Sequence, residues 1–386
     1  MMSTMGLSEQ TLEARGALWT AREIAQQPAM LRKTDALVRA ARPELNAFLE
    51  PILAQADARI IFCGAGTSAF IGDCLAAEIG QSTGRCVRAI ATTDIVSAPR
   101  LYLDPAKPTL LVSFARSGDS PESLATVALA DQLVDNVRHL IITCNGDGRL
   151  AAYARTAANA HLLLLPEETH DRGFAMTSSF SCMMYAALAV LGGQELAESR
   201  IDAIADAVEG VVADYAQLTH RIAARGFARV VYLGGHGFLG LVREAALKML
   251  EMTDGAVVTL YDSPLGFRHG PKAIVNAETL VVLFLSNDRH SRRYDLDLLA
   301  ELKADRIAGD ILVVSAQPIP DWPSDKLVAV RSLAGAQDHD LLFAYVAVAQ
   351  MIAFHQSLAL NKTPDNPNPT GAINRVVQGV QIHAIV

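Results

Sequence analysis

Positive charge is scarce in this chain: 33 Lys and Arg stand against 41 Asp and Glu, the formal net charge is −8, and no long basic run occurs. That argues against nucleic acid or an anionic membrane as the main partner, since both are held by clustered Lys and Arg. Cysteine is sparse as well. The five, Cys63, Cys74, Cys86, Cys144 and Cys182, are odd in number and never at CxxC spacing. They read as free thiols in a reducing cytoplasm, with no zinc site. Residues 1–19 lack a cationic end followed by an apolar core, so no secretory signal is read there. The longest apolar tracts, near 183–191 and 341–354, are too short or too interrupted to span a bilayer. HExxH, GxSxG and P-loop patterns are absent.

What is present is apolar bulk. Over 386 residues, 51% are apolar and 19% charged, enough to bury the cores of two ordinary domains and too much for wholesale disorder. Residues 1–57 carry apolar positions at helical spacing, with Pro28, Pro43 and Pro51 as expected breaks. From Arg59 the pattern changes. Short β-branched runs at 59–63, 109–114, 140–144 and 162–165 alternate with helical stretches, which indicates a parallel sheet covered on both faces.

The second half repeats the first. Segments at 229–235, 279–284 and 311–314 match those at 59–65, 109–114 and 141–144, each displaced by 170 residues. Chance apolar matching does not give three segments one offset, so the chain reads as two copies of a doubly wound α/β unit. Residues 195–228 read as a linking helix, 341–360 as a long apolar helix, and 361–371 as a turn-rich loop leading into a last helical stretch with Arg375 and His383. The expected division is a helical extension at 1–50, a first α/β domain at 51–200, a second at 201–360 and a C-terminal loop and helix at 361–386.

Chemistry-bearing residues gather in two kinds of place. The first copy has two polar loops at strand ends. Gly64-x-Gly66-x-x-Ala69 fits a loose dinucleotide fingerprint, with Asp94 at the distance of a ribose ligand, or else a plain tight turn. Thr67 and Ser68 add hydroxyl donors at a helix start, where a phosphate is well held. Arg116-Ser117-Gly118-Asp119-Ser120 adds a second such loop at the next strand end, the edge where open α/β sheets bind ligands. The same residues also read as an Asp/Ser-capped helix start. Two hydroxyl-rich loops on adjacent strands suit one compact phosphate better than an extended dinucleotide. Thr177 to Ser179 read as a helix cap or a polar contact, and His236 as a turn residue.

The second kind of place is 241–271. On a helix, Glu244, Lys248 and Glu251 fall at i, i+4 and i+7 and share one face. That stripe is either an exposed ion pair, worth roughly 0.2–0.5 kcal/mol, or a proton-transfer face, with His269 following on a Gly-Phe-Arg-His-Gly-Pro loop.

Taken together, GAGTSAF at 64–70, SFARSGDSPES at 113–123, REAALKMLE at 243–251 and FRHGP at 267–271 resemble the sugar isomerase (SIS) domain superfamily, duplicated in one chain. Within it the chain is similar to the bacterial galactosamine-6-phosphate deaminase/isomerases, also called tagatose-6-phosphate ketose/aldose isomerases. ETHDRGFAMTSS, YDSPLGFRHGPK and NRVVQGV carry that closer match, which runs from residue 48 to about 380. The resemblance implies two tandem flavodoxin-like α/β SIS domains with helical N- and C-terminal extensions.

The resemblance also implies roles. Gly66, Thr67, Ser68, Arg116, Ser117 and Ser120 match positions that hold a sugar phosphate in the related glucosamine-6-phosphate synthase isomerase domain. Arg116 stands where that relative has glutamine, and Ala115 where it has serine. Glu251 matches the carboxylate that moves a proton between C1 and C2, with Glu244 and Lys248 its polar neighbours. His269 matches the ring-opening histidine, which relatives lend across a dimer interface. Arg375 is nearest to the relative's C-terminal-loop lysine and is a candidate substrate contact.

The implied activity is conversion of galactosamine 6-phosphate to tagatose 6-phosphate and ammonia, with no metal or other cofactor, in a cytoplasmic homodimer or dimer of dimers with shared active sites. Deamination of the gluco epimer, plain aldose/ketose isomerisation, a sugar-phosphate-sensing module and a nicotinamide-dependent dehydrogenase are the alternatives.

Overall fold

The structure, a computed structural model, describes residues 3–193, 198–371, 374–377 and 379–385. A short antiparallel ladder of β1 (Ser3–Thr4) and β2 (Leu7–Ser8) opens the chain. Ten further strands form two parallel sheets of five. The first holds β3 (Arg59–Cys63), β4 (Cys86–Ala89), β5 (Thr109–Ala115), β6 (Val137–Thr143) and β7 (Ala160–Leu164), in the order β4-β3-β5-β6-β7. The second holds β8 (Arg229–Leu233), β9 (Val258–Asp262), β10 (Thr279–Phe284), β11 (Asp310–Ser315) and β12 (Leu327–Ala329), in the order β9-β8-β10-β11-β12.

Both sheets therefore run second, first, third, fourth, fifth. The register repeats as well: Arg59 pairs with Thr109 in one sheet and Arg229 with Thr279 in the other. The helices after the third strands, Pro121–Leu133 and Ser291–Asp305, start at the same displacement. In this winding a ligand crevice opens at the strand ends where the order reverses, between the first and third strands. Strands β4, β9 and β12 lie outside the four runs read from sequence in the first copy and the three read in the second. They sit at sheet edges, half-exposed, and so lack a continuous apolar signal.

Each sheet is buried on both faces. In the first copy, Ile61, Leu111 and Ile141 pack against Val127, Ala130 and Leu150. In the second, Val231, Leu233, Val281 and Leu283 pack against Leu298, Leu299 and Leu302 of helix Ser291–Asp305. The alternate strand positions face the other way. There Tyr345, on helix Asp338–Ala359, stacks against Phe238 and Phe284. That helix is apolar and long enough by composition to cross a membrane, and its apolar 18-residue stretch is wholly buried in the protein.

Compactness divides the chain differently from sequence order. One unit comprises the first sheet with residues 30–171, the helix Ser178–Leu191 and the described residues from 370 on. The other comprises residues 3–29, 172–177 and 198–369 with the second sheet. The expected N-terminal extension is thus shared out, its first part belonging with the second copy.

Two expectations are corrected. Pro43 and Pro51 do not break the N-terminal helix, which runs unbroken over Gln27–Leu53. An interior proline costs about 3 kcal/mol or more. Leu45, Leu49 and Ile52 on the same helix are all but fully buried, and each contributes roughly 1.5–3 kcal/mol, so packing outweighs the breaks. Pro28 is the second residue of this helix, where its missing N–H costs nothing. At the other end, the described residues after 371 contain no helix. Gly371 and Gly379 take left-handed backbone there, φ 75° and 77°, and valines at 376, 377 and 380 disfavour a helix further.

Candidate active site

In the second copy, β8 feeds helix Phe238–Met252, which carries the charged stripe. Its packing against helix Asp338–Ala359 changes how the stripe reads. Glu244 and Lys248 are not an exposed pair: both side chains are fully buried. Lys248 Nζ lies 3.4 Å from Glu244 Oε1 and also pairs with Glu251 Oε2. Removing either partner of a buried pair strands an uncompensated charge, so the three form one unit. Only Glu251 reaches solvent, at 23% side-chain exposure. The helix stops just beyond it. Asp254 and Gly255 turn left-handed, φ 53° and 71°. The Asp254 carboxylate then accepts from Lys362 at 3.0 Å and Asn368 at 2.7 Å.

A helix that joins two parallel neighbours must run back against them. Glu251, in its last turn, therefore lies about 20 Å from the helix start at 1.5 Å per residue. It sits at the edge opposite the strand ends of its own sheet. His269 lies in a different place again. It follows the one-turn helix Pro264–Phe267 and is exposed. Its imidazole makes no side-chain hydrogen bond among the described residues. Phe267 and Ile274, on either side of it, belong to the core that covers the Leu298 face of the sheet. The charged helix covers the Tyr345 face. Within one chain, Glu251 and His269 are thus on opposite faces of the second sheet, and the fold does not bring them together.

In the first copy the two loops meet at the strand ends of β3 and β5, the reversal point of the sheet. Gly66 turns the chain at φ 56° and ψ −129° into helix Thr67–Thr83, whose first residues Thr67 and Ser68 are buried. Gly64 is required by close approach, because a Cβ there would stand 2.6 Å from the Ser68 backbone. The second loop is braced from the next connection: Asn145 Nδ2 donates to Ser117 O at 2.8 Å and Leu150 N to Gly118 O at 3.0 Å. Ser117 and Ser120 are half-buried. Ser120 Oγ accepts from Ser123 N at 3.3 Å and donates to Glu122 at 3.0 Å, so it caps helix Pro121–Leu133. Arg116 is buried, and its Nη2 donates to the Arg375 carbonyl at 3.1 Å. Arg375 in turn donates to the carbonyl of Asp171. The fold thus groups Arg375 with Arg116 in the first copy.

Sequence reasoning passed over Asp171 and His170. The Asp171 carboxylate accepts from Ser178 Oγ, from Ser179 N at 2.9 Å and from Ser179 Oγ at 2.6 Å. The hydroxyls at 178 and 179 are therefore held by a preceding aspartate at the head of helix Ser178–Leu191. His170 is half-buried beside Arg375, Arg116, Asp171 and Asp119. Burial first, then the two guanidiniums, lower its pKa from the ordinary histidine value. The available signal was position: a His-Asp pair in the loop leaving the fifth strand falls at the same sheet edge as the two polar loops. His236 adopts the left-handed turn expected of it, φ 54°, with Nε2 2.8 Å from Ser291 Oγ.

A family model described as SIS domain matches residues 52–191. The chain is 45% identical over 368 residues to D-galactosamine-6-phosphate deaminase AgaS of Escherichia coli, covering 95% of each chain. It is 44% identical over 393 residues to the AgaS deaminase of a Shewanella species, covering 100% of this chain and 96% of that one. Among solved structures, the tagatose-6-phosphate ketose/aldose isomerase of Escherichia coli superposes with TM-score 0.87 at 42% identity, covering 95% of this chain and 97% of that one. A glucosamine-6-phosphate deaminase of Thermotoga maritima shares the fold, with TM-score 0.66 at 21% identity over 93% of this chain and 99% of that one.

Proposed function

From the premise that this chain belongs to the AgaS family of SIS-domain proteins, we propose that it is an enzyme that converts galactosamine 6-phosphate to tagatose 6-phosphate and ammonia. The observation that carries this reading is the buried Glu244–Lys248–Glu251 unit with one carboxylate at the surface. A full ion pair buried on a helix is an expensive way to hold a structure. It is a reasonable way to hold one proton-transfer group in fixed orientation.

Each residue then has a task. The loops at 64–68 and 116–120, with their hydroxyls and backbone amides, anchor the 6-phosphate. His269 moves protons as the pyranose ring opens, its exposed imidazole being a general acid/base open to the substrate. Glu251 takes the C2 proton from the open-chain aldehyde, giving an enolamine. Protonation at C1 yields a ketimine, and water adds at C2 to release ammonia and leave the ketose. Lys248 keeps Glu251 oriented and offsets negative charge developing on the substrate oxygen. These steps call for no metal.

The placement of Glu251 and His269 on opposite faces of one sheet supports a site completed by a second copy, as a homodimer or a dimer of dimers in the cytoplasm. Mixing inactive Glu251→Gln and His269→Asn proteins after joint refolding is expected to restore about a quarter of wild-type activity in a symmetric dimer. No recovery would mean each chain works alone.

The deciding assay for the reaction is ammonia release from galactosamine 6-phosphate and from its gluco epimer. Plain isomerisation is the second reading, favoured by the name of the 42%-identical isomerase. It would show as interconversion of hexose phosphates without ammonia.

A further inference from the structure

We propose that His170 touches the sugar itself and reads the configuration at C4, so that it sets the preference between galactosamine 6-phosphate and its gluco epimer. This rests on the assignment of the first-copy loops as the phosphate anchor.

The frame around His170 is rigid. Its own N–H donates to Glu167 O at 3.0 Å, closing the turn Glu167–Thr169 that leaves β7. The next residue, Asp171, is fixed by hydrogen bonds to its carboxylate from Ser178 and Ser179, to its carbonyl from Arg375, and from its own N–H to Thr169 O at 2.9 Å. Arg375 is held in turn by Arg116. Both neighbouring guanidiniums thus have backbone partners. The imidazole does not: neither ring nitrogen has a hydrogen-bond partner among the described residues. A half-buried ring whose nitrogens meet only water can exchange that water for a ligand hydroxyl.

Chemistry narrows what that something is. Burial and the two arginines disfavour the imidazolium, so at neutral pH the ring is a neutral donor and acceptor. Such a group suits a hydroxyl better than a phosphate. Arg116 and Asp119, its neighbours, belong to the loop assigned to the phosphate on C6. From there the C4 hydroxyl is the nearest ring substituent that differs between the two epimers, whereas C1 and C2 lie at the far end of the sugar. A site built to hydrogen-bond one hydroxyl discriminates strongly against a ligand that fails to present it.

The test compares wild type with His170→Asn and His170→Ala. Calorimetric Kd values and kcat/KM are measured for both epimers, and Ki for inorganic phosphate. Thermal melts identify any variant that fails to fold. The expected result is a fall of the galacto-over-gluco ratio by about 10-fold or more, with the phosphate Ki changed less than about three-fold. An unchanged ratio in both variants overturns the proposal. So does a parallel loss of phosphate affinity, which would make His170 part of the anchor. Wild-type protein that releases no ammonia from either epimer would end the deaminase reading alone, because the Kd ratio still decides the role of His170.

Discussion

The two copies share winding, register and helix starts, yet they treat the same crevice in opposite ways. In the first copy the loops at the reversal point keep hydroxyls and a buried arginine, with His170 from the loop after β7 beside that arginine. In the second, the protein's own carboxylates fill the corresponding loop. Asn287 N donates to Asp338 Oδ1 at 2.7 Å, Ser286 Oγ donates to Asp338 Oδ2, and Ser286 N donates to Asp295 at 2.9 Å. Ser286 and Asn287 stand at the positions of Arg116 and Ser117, displaced by 170. The second copy has closed the site its fold provides and carries its charged groups on a helix instead. Duplicated folds can therefore keep one architecture while moving chemistry to a different part of it.

The sharpest way to break this comparison is Glu251→Gln. It should lower ammonia release by about 10²–10⁴-fold while phosphosugar affinity, assigned to the first copy, stays within a few-fold by calorimetry. Loss of both together would erase the division of labour.

Next in size is Lys248→Met, which takes the ammonium away from buried Glu244 and from Glu251. Urea unfolding should show a loss of about 3–5 kcal/mol. Adding Glu244→Leu should recover most of it, though not the activity.

Acid should also act on the second copy's core. His355 is buried between Thr219 Oγ1 and the Met5 carbonyl, and burial lowers its pKa to about 4. The unfolded chain binds this proton from about pH 6.5 downward and the folded chain only near 4. Stability therefore falls as pH drops through that window, by up to roughly 3 kcal/mol. Asp295, raised to about 6 by burial, works in the opposite sense. The readout is accordingly the difference between wild-type and His355→Gln stability profiles, which should become independent of pH above about pH 7.

The smallest effect tests the plugged crevice. Asp338→Ala should cost about 1–3 kcal/mol. Millimolar phosphate or sulfate should restore part of the melting temperature, by taking the place of the lost carboxylate. The same salts should raise the wild-type melting temperature less, by only what binding at the first-copy anchor contributes. No recovery would mean the second loop has lost its capacity for an anion altogether.

What the sequence disclosed follows from which forces are local. Buried central strands are apolar throughout, so Arg59–Cys63 and Thr279–Phe284 were legible to the residue. Edge strands such as Val258–Asp262 face solvent on one side and blend into loop composition. The i, i+4, i+7 spacing identified the charged stripe, but spacing alone cannot say which face a helix buries, and the partner helix Asp338–Ala359 arrives about ninety residues later. Asp171 and His170 were missed for a related reason. Their meaning depends on Arg116 and Arg375, which only the folded chain places beside them.

The second compact unit has a consequence for how the chain is made. Its core draws on residues 3–29 as well as 198–369. Thr20 N and Oγ1 donate to Asp365, and His355 bonds to the Met5 carbonyl. During synthesis the first sheet emerges whole by residue 164 and can fold at once. The opening segment cannot settle until helix Asp338–Ala359 and the loop after it have left the ribosome. Residues 3–29 are thus made before the first sheet and placed after it.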